Sequence, residues 1–127
     1  MRQVIGSLMD WNSLPAGDLV ITLFFGLTRL STPSVTEDEW SNFLSEVVTS
    51  RLVDGFTVFD GHGQYFNRPR QRVVKIRSKI LVVTGCKEIG VHIDAIRLEY
   101  QRRFNQIAVG LTVVPGYADF GPVSDRA

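Results

Sequence analysis

The stretch from Arg68 to Lys79 concentrates basic side chains, since six of its residues are Lys or Arg and none is acidic. Such a stretch can follow a nucleic-acid backbone or hold a nucleotide. Basic residues together with Pro69 are also typical of an edge strand that is protected against aggregation. The whole chain carries 14 basic and 13 acidic residues, and it has no aromatic motif of the RNP type. The sequence therefore favours the edge-strand interpretation, and we do not expect a nucleic-acid partner.

Side chains suited to metal binding or covalent catalysis are sparse. His62 and His92 have no second His, Cys or Asp at the spacing of metal ligands. Cys86 is the single cysteine, which excludes an internal disulfide and fits a reducing compartment. The sequence contains no Gly-x-Ser-x-Gly motif, no P-loop and no Rossmann fingerprint. We therefore predict no metal site and no cofactor, and the motifs assign no catalytic residue.

The apolar patterning predicts secondary structure in the order β-α-β-β-α-β. Thr36 and Glu39 form the capping box that begins the first helix. The segment "DGHG" at residues 60–63 supplies two glycines for the turn of the central hairpin. The predicted bounds are residues 19–27 for the first strand, 36 to about 50 for the first helix, 56–85 for the hairpin, about 90–104 for the second helix and 107–114 for the last strand.

This order of elements, with right-handed crossovers, predicts a ferredoxin-like fold of the α+β class. In that fold a four-stranded antiparallel sheet carries both helices on one face. The ferredoxin-like domain covers residues 18–115, between an N-terminal extension at 1–17 and a C-terminal tail at 116–127. The extension has no long apolar run, so we expect neither a signal peptide nor a transmembrane span, and a cytoplasmic location.

The first strand, "LVITLFFGL", is apolar on both sides, although two helices can cover only one face of the sheet. A large exposed apolar patch is rare in a monomer. The sequence therefore favours a second copy of the chain against the free face, which would make a dimeric α+β barrel. The alternative is that the extension, with Leu8 and Trp11, and the tail, with Tyr117 and Phe120, fold over that face.

Four segments occur in the order of a known domain: "LFFGL", "TEDEWSNFLSEVVTSRLVDGFTVFDGHGQY", "RSK" and "RFNQ". Over roughly residues 19–114 the chain resembles the DUF3574 family, small domains of unknown function from bacteria and viruses. It departs from the family pattern at Leu52 and Val53, where the family has Phe-Pro, and at Ile76 and Arg77, where it has Glu-Pro. Any chemistry carried by that Glu would be missing here, and the resemblance implies a fold without an activity.

The family pattern marks a set of polar side chains that could bind a ligand: Arg51, Asp54, Arg77, Lys79, Tyr100, Arg103 and Gln106. We expect the loops after the two helices to emerge at the same end of the sheet, which would bring Arg51 and Asp54 close to Arg103 and Gln106. Arg and Lys would then form a pocket for a carboxylate or phosphate. The alternative, which the sequence favours, is that Arg51 and Asp54 fix a turn and Gln106 bonds to local backbone.

Three functions remain open from the sequence. The first is a non-enzymatic, homo-oligomeric binding protein for a small anionic ligand or a protein partner, and a viral member could act on a host protein. The second is a small enzyme of the dimeric α+β-barrel type, in which Asp54, Tyr100 or His62 moves a proton inside the cavity between two sheets. The third is a purely structural subunit. The absence of catalytic motifs favours the first.

Overall fold

The computed structural model describes residues 9–29 and 33–122, which form one four-stranded antiparallel sheet with two helices. The elements are β1 (Leu19–Gly26), α1 (Glu37–Phe43), β2 (Thr57–Asn67), β3 (Arg72–Gly85), α2 (Gly90–Phe104) and β4 (Gly110–Pro115). The spatial order of the strands is β2-β3-β1-β4. This topology confirms the predicted ferredoxin-like α+β fold.

The central strand β1 separates two environments by simple alternation. Its odd-numbered residues Leu19, Ile21, Leu23 and Phe25 are fully buried beneath the helices. The helices fill this side with side chains spaced at three and four residues, as an amphipathic stripe requires: Trp40, Phe43, Val47, Ile93, Ile96, Tyr100 and Phe104. We call this side of the sheet the helix-side face, and it contains the core.

The first helix begins where the capping box predicted it. The Thr36 hydroxyl accepts a hydrogen bond from the Glu39 amide at 3.1 Å, and the Glu39 carboxylate accepts one from the Thr36 amide at 3.0 Å. These two bonds satisfy amide groups that have no partner within the helix. Beyond Phe43 the helix continues as a π-helical turn, Leu44–Val48, so its end agrees with the predicted end near residue 50.

The predicted turn at residues 60–63 is wrong, because this segment lies inside β2. The strands β2 and β3 pair without interruption from Thr57 opposite Val82 to Asn67 opposite Arg72. The turn lies at residues 68–71, where the Asn67 side chain accepts a hydrogen bond from the Arg70 amide and Gln71 adopts a φ of 52°. Glycine at position 61 has another role: a Cβ there would lie 3.0 Å from the Ile80 side chain.

The β2–β3 hairpin extends beyond the rest of the sheet. The ladder between β1 and β3 ends where Gly26 lies opposite Ser78. Residues 62–77, which we call the hairpin arm, have each other as sheet partners, and no third strand lies beside them within the described residues. At the base of the arm the Leu27 amide donates to the Arg77 carbonyl at 3.1 Å. At the other edge, β4 begins at Gly110 instead of residue 107, and Ile107 is exposed.

The second side of the sheet, which we call the open face, carries uncharged residues across all four strands, except for Arg72 at the turn end of β3. The sheet register places the following residues there: Val20, Thr22 and Phe24; Thr57, Phe59, Gly61, Gly63, Tyr65 and Asn67; Arg72, Val74, Ile76, Ser78, Ile80, Val82 and Thr84; Gly110, Thr112 and Val114. Several of the large apolar side chains are about half exposed, among them Phe24, Phe59 and Val114.

The side chains that could have covered the open face lie elsewhere or are exposed. Trp11 is buried against Gly90 at the start of α2, and its indole N–H donates to Asp94 at 3.1 Å. Tyr117 and Phe120 are 81% and 90% exposed, so the described part of the tail does not shield the sheet with these rings. Leu8 lies outside the described residues.

Candidate functional site

The loops that follow the two helices lie at opposite ends of the sheet, so the expected meeting of Asp54 with Gln106 is wrong. Arg51 and Arg103 do come near one group: after the hydrogen bond from Arg102, the charges of Arg103 and Arg51 lower the pKa of the Glu99 carboxyl. Asp54 borders a recess beside Val83 and Thr84, which pair with the beginning of β1. Gln106 donates to the Thr28 carbonyl at 2.8 Å, just beyond the end of β1. Because α1 and α2 run in opposite directions across the sheet, the loops that follow them lead into β2 and β4 from opposite ends.

The two predicted arginines of the helix ends are engaged within the protein. The Arg51 guanidinium donates to the Val47 carbonyl at 3.0 Å, which satisfies a carbonyl of the last helical turn. The Arg103 guanidinium contacts the Glu46 carboxylate at 2.6 Å and lies 5.8 Å from the centre of the Phe43 ring. The Arg103 contacts join the two helices, whereas the Arg51 bond lies within the end of the first helical segment.

Tyr100 belongs to the core. Its side chain is fully buried, and its hydroxyl donates to the Gly26 carbonyl at 2.6 Å. Burial raises the pKa of Tyr100 well above its ordinary value, because the charged phenolate would lose its hydration. The ring packs edge to face against Phe25 and Phe43, with ring centres 4.8 and 5.2 Å apart. Its role is to fix α2 against β1.

Lys79 is a buried cation held between two carboxylates. Its ammonium lies 2.6 Å from Glu37 at the start of α1 and 2.6 Å from Asp60 on β2. Burial alone would lower the pKa of Lys79, but the hydrogen bonds to Asp60 and Glu37 outweigh it and raise the pKa. The same hydrogen bond, followed by the charge of Lys79, lowers the pKa of Asp60. Lys79 thus ties the hairpin to the first helix.

Arg77 differs from the other predicted site residues because it is exposed on the hairpin arm. The register pairs it with His62, and it pairs the neighbouring Lys75 with Gln64. All four side chains lie on the helix-side face, beyond the region that the helices cover, and all four are exposed. They line a shallow groove of about 530 Å³. Within the described residues, neither Arg77 nor Lys75 forms an ion pair.

We call this exposed part of the arm the basic face, and we define it by His62, Gln64, Phe66, Lys75 and Arg77. Sequence reasoning named Arg77 as a ligand-binding residue, placed Lys75 in the basic stretch and considered His62 only as a proton carrier, so it missed Gln64 and Phe66 and did not group the five residues. The signal that could have found the others is the hairpin register: a turn at 68–71 puts positions 62, 64 and 66 on the same side as 75 and 77. Since neighbouring Cβ atoms across such strands are about 5 Å apart, these polar groups can act on one ligand.

A second concavity lies at the opposite end of the sheet, near the start of β2. It measures about 500 Å³ and opens beside the open face. Its lining is largely apolar, and Asp54 is its one ionisable side chain: Asp54, Gly55, Phe56, Thr57, Val82, Val83, Thr84 and Phe120. We call it the Asp54 recess. It contains none of the other predicted site residues.

Residues 9–29 and 33–122 contain neither a candidate metal-binding cluster nor a candidate membrane-spanning helix. No three His, Cys, Asp or Glu side chains are grouped so that they could hold a metal ion in this part of the chain. No helix in the same residues has the length and apolar character needed to cross a membrane.

Two solved structures are similar to this chain at low sequence identity, and the first of them shares its fold. The first is a phage SAM lyase in complex with S-methyl-5'-thioadenosine: it is 18% identical, with a TM-score of 0.58, over 80% of this chain and 84% of that one. The second is CutA from Synechococcus elongatus in complex with Bis-Tris: it is 15% identical, with a TM-score of 0.49, over 78% of this chain and 80% of that one.

The search of curated proteins found no match. The family model described as "Protein of unknown function (DUF3574)", by contrast, matches residues 21–120, which is most of the chain. The match includes the two helices, three complete strands and nearly all of β1. It also includes the hairpin arm, the Asp54 recess and the buried Lys79. On this agreement, the protein belongs to the DUF3574 family.

Proposed function

We propose that this protein is a non-enzymatic binding protein that self-associates through the open face and holds a small anionic ligand on the basic face. The observation that carries the proposal is the contrast between Lys79, which is neutralised by two carboxylates, and Arg77 with Lys75, which are exposed and lack an ion pair among the described residues. Arg supplies a planar set of donors for a carboxylate or phosphate, and Lys adds a charge beside it. Holding an anion in this way requires no covalent chemistry, so the role that we propose is binding and not catalysis.

Self-association is supported by the composition of the open face. A two-fold interface brings the same patch of two subunits together, so the patch must be complementary to itself. A charged patch would meet like charge, whereas the open face is uncharged apart from Arg72 at the turn end of the arm, so most of it meets an uncharged copy. Phe24, Phe59 and Val114 would gain burial that the single chain does not give them. A second copy is therefore the occupant that fits this face best.

Anion binding is tested by thermal unfolding with inorganic phosphate, citrate and AMP added in separate titrations. A ligand at a hundred times its Kd stabilises the folded state by about 2.7 kcal/mol, so the midpoint should rise with ligand concentration. The double variant Lys75→Ala with Arg77→Ala should lose this rise. Arg102→Ala is the matched control, because Arg102 is exposed on α2 away from the arm. Unchanged midpoints with all three anions would contradict the proposal.

Self-association is tested by sedimentation over a concentration series. The wild-type protein should form a dimer or larger oligomer, and Phe59→Glu should shift it towards the single chain. Val91→Glu is the control, since Val91 is exposed on α2 and faces away from the sheet core. A wild-type protein that remains a single chain at the highest concentration would overturn the role of the open face.

The Asp54 recess favours one alternative, an enzyme whose site lies between two sheets. A second copy on the open face would border this recess and could exclude water from it. The phage SAM lyase shares the fold and was solved with S-methyl-5'-thioadenosine, so S-adenosylmethionine is a reasonable first substrate to test. Incubation followed by chromatography would reveal turnover, and Asp54→Asn should abolish it. The same rate for wild type and Asp54→Asn would exclude this role for Asp54.

A further inference from the structure

We infer that the basic face of the hairpin arm binds single-stranded nucleic acid. This inference rests on the proposed anion binding and names its ligand class. The feature that goes beyond an anion site is Phe66, which is 52% exposed beside the cations instead of being packed in the core. An inorganic anion gains no stacking contact from an exposed aromatic ring, whereas an unpaired base can stack on such a ring.

The net charge of the chain is close to zero, but its basic and acidic residues are unevenly distributed. Residues 62–77 hold five of the 14 basic residues and none of the 13 acidic ones. The rest of the chain therefore has nine basic residues against 13 acidic ones, so it is negative while the arm is positive. A net charge of +1 argued against a nucleic-acid partner, but a ligand at the arm experiences the local field of the arm.

The arrangement of the basic face suits a strand with exposed bases. Lys75 and Arg77 are two residues apart on β3, so they stand about 7 Å apart along the edge of the face. Across the strand pair from them lie His62 and Gln64, and Phe66 follows at the outer end of the arm. Phosphates can contact the β3 cations while a base lies over the β2 side chains. Arg68 and Arg70 in the turn extend the positive charge beyond Phe66.

A duplex fits this face less well than a single strand. Bases in a duplex are already stacked and present only their edges, so Phe66 could not contact their faces. The basic face is also only two strands wide, which suits a short single-stranded segment. The open face, on the other side of the same arm, presents Tyr65 and one basic residue, Arg72 beside the turn, and it has no Lys or Arg between Val74 and Thr84. The two sides of the arm therefore differ in chemistry.

The test measures fluorescence anisotropy of a labelled short oligothymidylate with the full chain across a salt series. Each cation that contacts phosphate contributes about 0.7 to the slope of log K against log salt for a single strand. Lys75→Ala and Arg77→Ala should each reduce the slope by about 0.7. Phe66→Ala should weaken binding about tenfold and leave the slope unchanged, because stacking releases no counterions. Arg102→Ala and Tyr117→Ala, both exposed outside the arm, should bind as wild type does.

Two competitors separate this inference from the proposed function on which it rests. Polyphosphate carries the charges without bases, and a duplex of the same length carries bases that are already stacked. If polyphosphate competes as well as the single strand and Phe66→Ala binds normally, single-strand recognition is overturned while anion binding stands. Equal competition by the duplex overturns it in the same way. If neither the oligothymidylate nor polyphosphate binds, both the inference and the anion-binding proposal are wrong. Circular dichroism of each variant shows whether it is folded.

Discussion

Lys79 and Arg77 lie two residues apart on the same side of β3, yet their surroundings are opposite. Lys79 is only 6% exposed and forms ion pairs with carboxylates from α1 and β2, so its charge holds these two elements together. Arg77 stands where the helices no longer cover the sheet, and its charge faces solvent. The comparison teaches that the reach of α1, and not the type of side chain, divides structural cations from those that can bind a ligand.

The aromatic residues divide at the same boundary, and Phe43 and Phe66 give the largest expected difference. Phe43 is fully buried against Phe25 and Tyr100, so Phe43→Ala should lower the free energy of unfolding by about 3–5 kcal/mol. Phe66→Ala should change it by less than about 0.5 kcal/mol, because the ring is half exposed. Urea denaturation followed by circular dichroism measures both. A large loss in Phe66→Ala would show that the arm is part of the core.

A smaller difference is expected between the two cations themselves. Lys79→Met keeps the aliphatic volume but removes the bonds to Glu37 and Asp60, and it should lower the free energy of unfolding by about 1 kcal/mol. Arg77→Met should leave stability within about 0.5 kcal/mol and affect only ligand binding. Stability follows from denaturation at neutral pH. Equal losses in the two variants would remove the distinction between them.

The buried hydroxyl of Tyr100 gives a comparable or slightly smaller effect. Tyr100→Phe removes the hydrogen bond to the partly buried Gly26 carbonyl, which should lower the free energy of unfolding by about 1 kcal/mol. Tyr65→Phe is the matched control, because Tyr65 is half exposed on the arm and should lose no stability. If Tyr100→Phe is as stable as wild type, the hydroxyl does not fix α2 against β1 in the way the distance indicates.

The sequence predicted the fold well because the relevant signals are local. The capping box of Thr36 and Glu39, the apolar stripe of α2 and the alternation in β1 each depend on spacing within a single element. The hairpin turn was predicted at the wrong place because glycine occurs both in tight turns and where a neighbouring side chain needs space. Gly61 leaves room for the Ile80 side chain, and this requirement is visible only when the two strands are paired. The turn at 68–71, formed with Pro69, carries no glycine to mark it.

The candidate site was less predictable because it depends on relations between elements. Asp54 and Gln106 lie on loops after helices, and the opposite directions of α1 and α2 separate those loops. The ion pair between Lys79 and Glu37 could not be predicted from the sequence, because the two residues are 42 positions apart. The basic face needed only the correct hairpin register, so this part of the site was accessible in principle from the sequence.

The smallest expected effect is on the pH dependence of stability, which should differ between a Lys79 variant and a variant of the hairpin arm. Because Lys79 lowers the pKa of Asp60 below its ordinary value of 3.8, Asp60 binds a proton more readily in the unfolded chain than in the folded one. The stability that this pair contributes is therefore present above pH 3.8 and is lost as the pH falls through the lowered pKa. Stability curves from neutral to acidic pH should fall less steeply for Lys79→Met than for wild type, whereas Lys75→Met should follow wild type. Parallel curves for Lys79→Met and wild type would mean that Lys79 does not hold Asp60 ionised.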